Sequence, residues 1–117
     1  MKKLISSKSE LSIGIVFLFA ILSISNSCKK ESEVPGTNEV FIQGMAFDPG
    51  TITVTANTTI TWTNKDGVSH TVTSNTGIFD SGTINANETY SHMFATAGTY
   101  PYHCTVHPTM TATVIVN

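Results

Sequence analysis

From residue 39 onward, hydrophobic and polar residues alternate one by one along short segments of the chain. The alternation is clearest at 51–55 and 59–63, where threonine alternates with isoleucine, valine or tryptophan. Alternation with a period of two places one set of side chains in a core and the other in solvent, as in a β-strand. The same pattern predicts further strands at 40–43, 69–73, 89–94, 99–104 and 111–116.

Turn-forming residues separate these segments. Examples are Asp48-Pro49-Gly50 and the Asn-Lys-Asp-Gly sequence at 64–67, residue types that favour tight turns. No stretch after residue 38 shows sustained helical periodicity. Short strands joined by regular turns are typical of a β-sandwich. We therefore predict an all-β fold for this part of the chain.

The first 27 residues follow a different pattern. Lys2, Lys3 and Lys8 precede an almost wholly apolar and uncharged run at 11–24. This order is typical of a secretory signal, and the run is shorter than the roughly 20 residues that a membrane-spanning helix needs. Cys28 follows small residues directly after the run and resembles the lipidated cysteine of bacterial lipoproteins.

We interpret residues 1–27 as a signal peptide, Cys28 as a lipidated N-terminus, 28–38 as a polar linker and 39–117 as the domain. An ordinary cleaved signal and an uncleaved anchor are the alternatives, because Ser25 stands where lipoprotein signals usually carry leucine. All three interpretations export the domain to the periplasm or cell envelope. Lipidation would also hold it at a membrane.

Charge in the domain is sparse and mostly negative. The chain has no arginine, and Lys65 is the only lysine after residue 38. The acidic residues of the same region are Glu39, Asp48, Asp66, Asp80 and Glu88. The basic surface that nucleic-acid binding requires is therefore missing. An acidic domain favours encounter with a positively charged partner.

Three residues that bind soft metal ions recur at intervals of three near the end of the chain: Cys104, His107 and Met110. Three residues span at most roughly 10 Å, so one tight loop can bring all three side chains to one ion. His70 can complete the site from another strand. One thiolate, two imidazoles and a weak thioether form the type 1 copper arrangement. Zinc is the main competitor, but methionine is a poor ligand for it.

The segment 98–110, Gly-Thr-Tyr-Pro-Tyr-His-Cys-Thr-Val-His-Pro-Thr-Met, resembles the cupredoxins of the plastocyanin/azurin family, and its ligand loop is most similar to that of amicyanins. Segments 47–49, 61–64, 66–70 and 79–82 resemble the family as well, so that the likeness covers nearly all of 40–117. The resemblance implies a Greek-key β-sandwich that binds one copper ion. It assigns the four ligand roles to His70, Cys104, His107 and Met110.

The resemblance also implies a function: the protein shuttles single electrons between redox partner proteins, with no substrate chemistry. His107 is then the exit for the electron, with its ring edge at the surface beside Val106, Pro108 and Thr109. We expect the protein to be a monomer. The donor and the acceptor are not identified by the sequence.

Two residues depart from the family pattern near the expected copper. Thr71 stands where the family often has an asparagine that ties the first histidine to the ligand loop, and a threonine hydroxyl reaches less far. Val106 stands where plastocyanins and amicyanins usually have proline. Unlike proline, Val106 has a backbone N–H. We predict that this N–H and that of Thr71 both point at the thiolate.

Three alternatives remain open from the sequence. The same ligands would suit a protein that buffers or delivers copper in the envelope. A metal-free sandwich could serve as an interaction module, with Cys104 a buried thiol beside a surface histidine. Cys28 and Cys104 could also form a disulfide, as cysteines of exported proteins commonly do.

Overall fold

A computed structural model of the chain describes residues 32–117. Within this range the chain forms eight strands and no helix. The strands are β1 (Glu39–Ile42), β2 (Phe47–Asp48), β3 (Thr51–Val54), β4 (Thr58–Asn64), β5 (Thr73–Ser74), β6 (Thr89–Phe94), β7 (Gly98–His103) and β8 (Thr111–Val116). The predicted all-β fold is confirmed.

The strands form two four-stranded sheets, ordered β2-β1-β4-β6 and β3-β8-β7-β5. Both sheets are mixed, because β1 runs parallel to β4 and β3 runs parallel to β8, while the other neighbours are antiparallel. Every connection from β2 to β7 passes from one sheet to the other. The chain therefore crosses repeatedly between the two sheets.

The alternation seen in the sequence explains how β4 contributes to the core. Ile60, Trp62 and Asn64 are buried, whereas the threonines between them are half-buried. The Trp62 Nε1–H donates a hydrogen bond of 3.0 Å to the Tyr102 hydroxyl on β7, in the other sheet. Burial raises the pKa of Tyr102, although the bond from Trp62 opposes the rise. This neutral hydroxyl satisfies the one polar atom of the buried indole.

The predicted strand at 69–73 is wrong in its extent. Only a short β5 and two isolated bridges, His70 with Ile84 and Thr73 with Asp80, form there. The Thr71 N–H donates to the Cys104 sulfur, and the Val72 N–H donates to the Ser81 hydroxyl. Two consecutive backbone donors are thereby withdrawn from strand pairing. A regular ladder cannot continue through this segment.

The predicted signal at 1–27 and Cys28 lie outside the described residues. Of the predicted linker, residues 32–36 have no regular secondary structure, and a turn follows at 37–38. Among residues 32–117, no helix has the length and apolar character needed to span a membrane.

Candidate metal centre

Two histidines and one cysteine converge at one end of the sandwich. The Nδ1 atoms of His70 and His107 lie 3.7 and 3.8 Å from the Cys104 Sγ. The three potential ligand atoms all lie within 4.8 Å of one another. His70 and Cys104 are completely buried, whereas His107 is half-buried. The structure therefore brings three of the four predicted ligands to one point.

The segment 104–110, here called the ligand loop, joins β7 to β8. Its turn is closed by hydrogen bonds within the loop: the Met110 N–H donates to the His107 carbonyl at 2.9 Å, and the Cys104 N–H donates to the Met110 carbonyl at 3.1 Å. His103 and Thr111, which flank the loop, are paired across the two strands. Met110 is buried, with 5% of its surface exposed. The loop thus holds Cys104, His107 and Met110 together by local contacts.

His70 belongs to a second segment, residues 64–71, here called the histidine arm. The His70 Nε2 lies 2.9 Å from the Asp66 Oδ2. An ionised carboxylate only accepts hydrogen bonds, so Nε2 carries the imidazole proton. When the ring is neutral, its lone pair then resides on Nδ1, the atom that faces Cys104. Asp66 therefore selects the tautomer in which His70 can bind a metal toward the cysteine.

Asp66 is itself held by the hairpin between β1 and β2. The N–H groups of Gly44 and Met45 donate to its two carboxylate oxygens at 2.7 and 3.0 Å. Partial burial by itself raises the pKa of Asp66, but these two bonds and the contact with His70 outweigh burial and lower the pKa. The carboxylate therefore stays ionised at neutral pH, as the tautomer of His70 requires.

The hairpin adopts an unusual backbone conformation to make these bonds. Gly44 and Met45 have φ values of 66° and 62°, as a two-residue turn of type I′ demands. Glycine accepts this conformation readily, whereas for methionine it costs of order 1 kcal/mol. The two hydrogen bonds to Asp66 compensate for that cost. A hairpin distant in sequence thus supports the histidine arm.

Asn64 fixes the start of the histidine arm. It is completely buried, and its Nδ2 donates to the carbonyls of Val68 and Ile84 at 2.8 and 3.0 Å. Its Oδ1 accepts from the Asp66 N–H at 2.9 Å. The Asn-Lys-Asp-Gly sequence at 64–67 predicts a turn, but only the structure shows that Asn64 and Asp66 position His70.

Thr71 forms the connection between the arm and the loop. Its N–H donates to the Cys104 Sγ at 3.3 Å, as predicted. Its Oγ1 accepts from the Thr105 N–H at 2.8 Å, so the threonine hydroxyl does reach the ligand loop. Among the hydrogen bonds of residues 32–117, none runs from the Val106 N–H to the sulfur. The predicted action of Val106 on the thiolate stays a prediction.

The other two histidines lie outside the centre. His92 packs against Phe79 and Phe94, with ring centroids 5.0 and 4.7 Å away. The His103 Nδ1 lies 2.6 Å from the Asn75 Oδ1. The described part of the chain contains one cluster of histidine, cysteine or acidic side chains with metal-ligand spacing, and it is the cluster of His70, Cys104 and His107.

The donor set fits copper. A cysteine sulfur and two imidazoles around one point, with a buried methionine in the same loop, match the preference of copper for soft sulfur and nitrogen ligands. In the part of the chain that the structure describes, Cys104 is a free cysteine, so no disulfide occupies its sulfur. A structural zinc site would need four strong ligands, and no fourth histidine, cysteine or carboxylate completes the cluster among residues 32–117.

Comparison with known proteins agrees with this geometry. The model of the family described as "Cupredoxin-like domain" matches residues 14–116. The chain belongs to this family. Among its relatives, amicyanin-alpha of Methylorubrum extorquens is 36% identical over 86 residues, which cover 69% of this chain and 72% of the relative. Plastocyanin of Scenedesmus fuscus is 35% identical over 74 residues, covering 54% and 76% of the two chains.

Solved structures of the family superpose on the same fold. The oxidised state of a proline-to-alanine mutant of amicyanin has a TM-score of 0.66 and 32% identity, covering 70% of this chain and 83% of its own. The Cu(I) form of a methionine-to-alanine mutant of amicyanin has a TM-score of 0.66 and 31% identity, covering 74% and 87%. A purple cupredoxin from Nitrosopumilus maritimus gives 0.63 and 28%, covering 68% and 98%.

Proposed function

We propose that this cupredoxin is a type 1 copper protein that carries single electrons between redox partner proteins in the bacterial cell envelope. It binds one copper ion and performs no substrate chemistry. The observation that carries the proposal is the convergence of two imidazoles and a cysteine sulfur within 4.8 Å. Amicyanin and plastocyanin relatives with 36% and 35% identity support it.

In this proposal His70, Cys104 and His107 would hold the copper ion through two imidazole nitrogens and a sulfur, and the Met110 thioether would be a weaker donor. The copper ion, when bound, supplies the change between Cu(I) and Cu(II). The protein holds the donors in place through Asp66 and Thr71, so the ligands need not rearrange when the charge of the site changes. A small rearrangement is what fast electron transfer requires.

His107 is the proposed exit for the electron. It is the least buried of the three converging side chains, and it lies in the loop beside exposed Val106, Pro108 and Thr109. Val106 exposes 52% of its surface. A small patch of this kind suits brief contacts, since transient redox complexes have small interfaces. We expect the protein itself to be a monomer.

The burial of two expected ligands favours electron transfer over copper delivery. A delivery protein exchanges its metal with a partner, which requires accessible ligands. Here His70 and Cys104 are both 0% exposed. A carrier that keeps its copper through many cycles fits this burial better than a delivery protein does.

The location follows from the sequence of the N-terminal segment. The signal at 1–27 exports the chain, lipidated Cys28 anchors it at a membrane, and the linker at 28–38 spaces the domain at 39–117 from the surface. Mass spectrometry of the N-terminal peptide of the exported protein tests the anchor. We expect the mass of a peptide that begins with a diacylglyceryl cysteine. An unmodified N-terminus would contradict the anchor but not the export.

Adding Cu(II) to the metal-free protein tests the proposed function. We expect one equivalent of copper to produce an intense blue colour, which a thiolate–copper bond causes, and to be reduced and reoxidised reversibly in voltammetry. A strong chelator should remove the copper slowly if the protein is a carrier. A colourless protein after addition of copper contradicts the proposal, and rapid loss to the chelator favours delivery.

A further inference from the structure

A line of hydroxyl groups connects the metal centre to Asp80 on the surface. The Oγ1 atoms of Thr105 and Thr71 lie 3.1 Å apart, and those of Thr71 and Thr73 lie 2.9 Å apart. The Thr73 Oγ1 donates to the Asp80 Oδ1 at 3.3 Å. The line starts next to Cys104, passes through buried Thr71 and ends at an exposed carboxylate.

The carboxylate determines the direction of every bond in this line. An ionised carboxylate only accepts, so the single hydroxyl proton of Thr73 points to Asp80. Thr73 must then accept from Thr71, and Thr71 must accept from Thr105. The Thr71 oxygen also accepts from the Thr105 N–H at 2.8 Å. It therefore accepts twice and donates once, which is the full capacity of a hydroxyl group.

This direction strengthens the contact between the two segments of the site. A hydroxyl oxygen whose own proton is donated onward becomes a better acceptor, because hydrogen bonds in a chain polarise one another. The Thr105 N–H is thus held more firmly by Thr71. Thr71 directly follows His70, and Thr105 directly follows Cys104. The contact fixes the spacing between these two residues.

We propose that Asp80 and Thr73 are positioning residues of the metal centre. Through the directed hydroxyl line, Asp80 orients Thr71 so that it clamps Thr105, and the clamp holds the His70 and Cys104 side chains at their mutual distance. The part of this inference that concerns copper rests on the proposed function. No hydrogen bond of residues 32–117 joins either side chain to the four expected ligands.

The backbone around Asp80 allows the hydroxyl line to be tested without unfolding the segment. The Ser74 N–H donates to the Phe79 carbonyl at 2.8 Å, and the Ser81 N–H donates to the Val72 carbonyl at 3.0 Å. These bonds hold the segment 79–81 against 72–74 without help from the two side chains. Thr73→Val, which keeps the side-chain shape and removes the hydroxyl, interrupts the line.

The first readout is hydrogen exchange of the Thr105 amide in the metal-free full-length protein. In Thr73→Val we expect the Thr105 amide to exchange roughly fivefold faster, the effect of weakening one hydrogen bond. The Cys104 amide, which is bonded to the Met110 carbonyl, should exchange at its original rate. Thr73→Ser restores the hydroxyl and should restore the slow exchange of Thr105.

The second readout is the spectrum of the copper-loaded protein. Thr73→Val should change the relative intensities of the thiolate–copper absorption bands, and Thr73→Ser should restore them. Asp80→Asn keeps an acceptor oxygen but removes the charge, so it should cause smaller changes of the same kind. Asp48→Asn, which removes an equal charge outside the hydroxyl line, should change neither readout.

The two readouts separate this inference from the proposed function. Unchanged exchange at Thr105 in Thr73→Val, or equal acceleration at Thr105 and Cys104, overturns the positioning role. A wild-type protein that stays colourless with Cu(II) contradicts the proposed function, while the exchange data still decide whether the hydroxyl line clamps the ligand loop.

Discussion

The ligand loop at 104–110 and the histidine arm at 64–71 meet at the same point but are held there by different means. The loop is closed by its own backbone hydrogen bonds, between residues three to six apart in the chain. The arm is held by side chains and by residues 20 to 34 positions away in the chain, such as Gly44, Ile84 and Thr105. The loop is a local structure, and the arm is a product of the whole fold.

This difference indicates where substitutions should act. Changes in the loop remove ligands and should alter the chemistry of the site directly. Changes in the supports of the arm should act first on stability or on the affinity for copper, because they loosen the position of His70 without removing a donor. The largest effect is expected from the loop and the smallest from a residue outside both segments.

Cys104→Ser tests the loop most directly. Because a thiolate–copper bond produces the blue colour, the serine variant should lose that colour completely. Met110→Leu removes only a weak axial donor to Cu(II), so this variant should stay blue while its reduction potential rises. Visible absorption and voltammetry measure both results. A blue serine variant together with a colourless leucine variant would show that the ligand roles are assigned wrongly.

Asn64→Ala tests the start of the histidine arm. The substitution removes the side-chain donor from the partly buried Val68 carbonyl and from the buried Ile84 carbonyl. We expect the free energy of unfolding to fall by about 2–4 kcal/mol, measured by urea denaturation of the metal-free protein. Ser69→Ala, which removes an exposed hydrogen bond to Asn85, is the control and should cost less than about 0.5 kcal/mol. Equal losses in both variants would contradict a special role of Asn64.

Asp66→Asn tests the selection of the His70 tautomer. The amide can present an N–H to Nε2, and this favours the ring form with its proton on Nδ1, facing Cys104. The affinity for copper should fall by about 10–100-fold, as for other groups that orient a metal-binding histidine. Competition with a chelator measures the change. Asp48→Asn is the control, because it removes the same charge away from the site. An equal loss of copper affinity in this control would show that the effect of Asp66→Asn comes from charge alone.

His92 lies outside both segments and should give the smallest effect. Burial lowers the pKa of His92 from its usual 6.5, so the unfolded chain binds the proton more readily than the folded protein. The stability that His92 contributes is therefore present above about pH 6.5, the unfolded value, and is lost as the pH falls from there through the lower pKa of the folded state. In thermal unfolding of the metal-free protein, His92→Gln should show a shallower loss of stability between pH 7 and 5. Parallel pH curves for the two proteins would refute this.

The sequence by itself determined most of the strands and the composition of the site. The alternation in 59–63 corresponds to β4, and the predicted strands at 89–94 and 111–116 match β6 and β8. The spacing of Cys104, His107 and Met110 indicated one loop. These features depend on neighbours a few residues apart, so a local pattern of burial or donor atoms is enough to reveal them.

The tertiary structure decided how the centre is held together. It ended the strand at 69–73, because the Thr71 N–H donates to a sulfur 33 residues away. In the folded protein Asp66 orients His70. The N–H groups of Gly44 and Met45, 22 and 21 residues away, donate hydrogen bonds to its carboxylate. The periodicity of the sequence cannot predict such bonds, because each one depends on two distant segments that become neighbours only when the sheets pack.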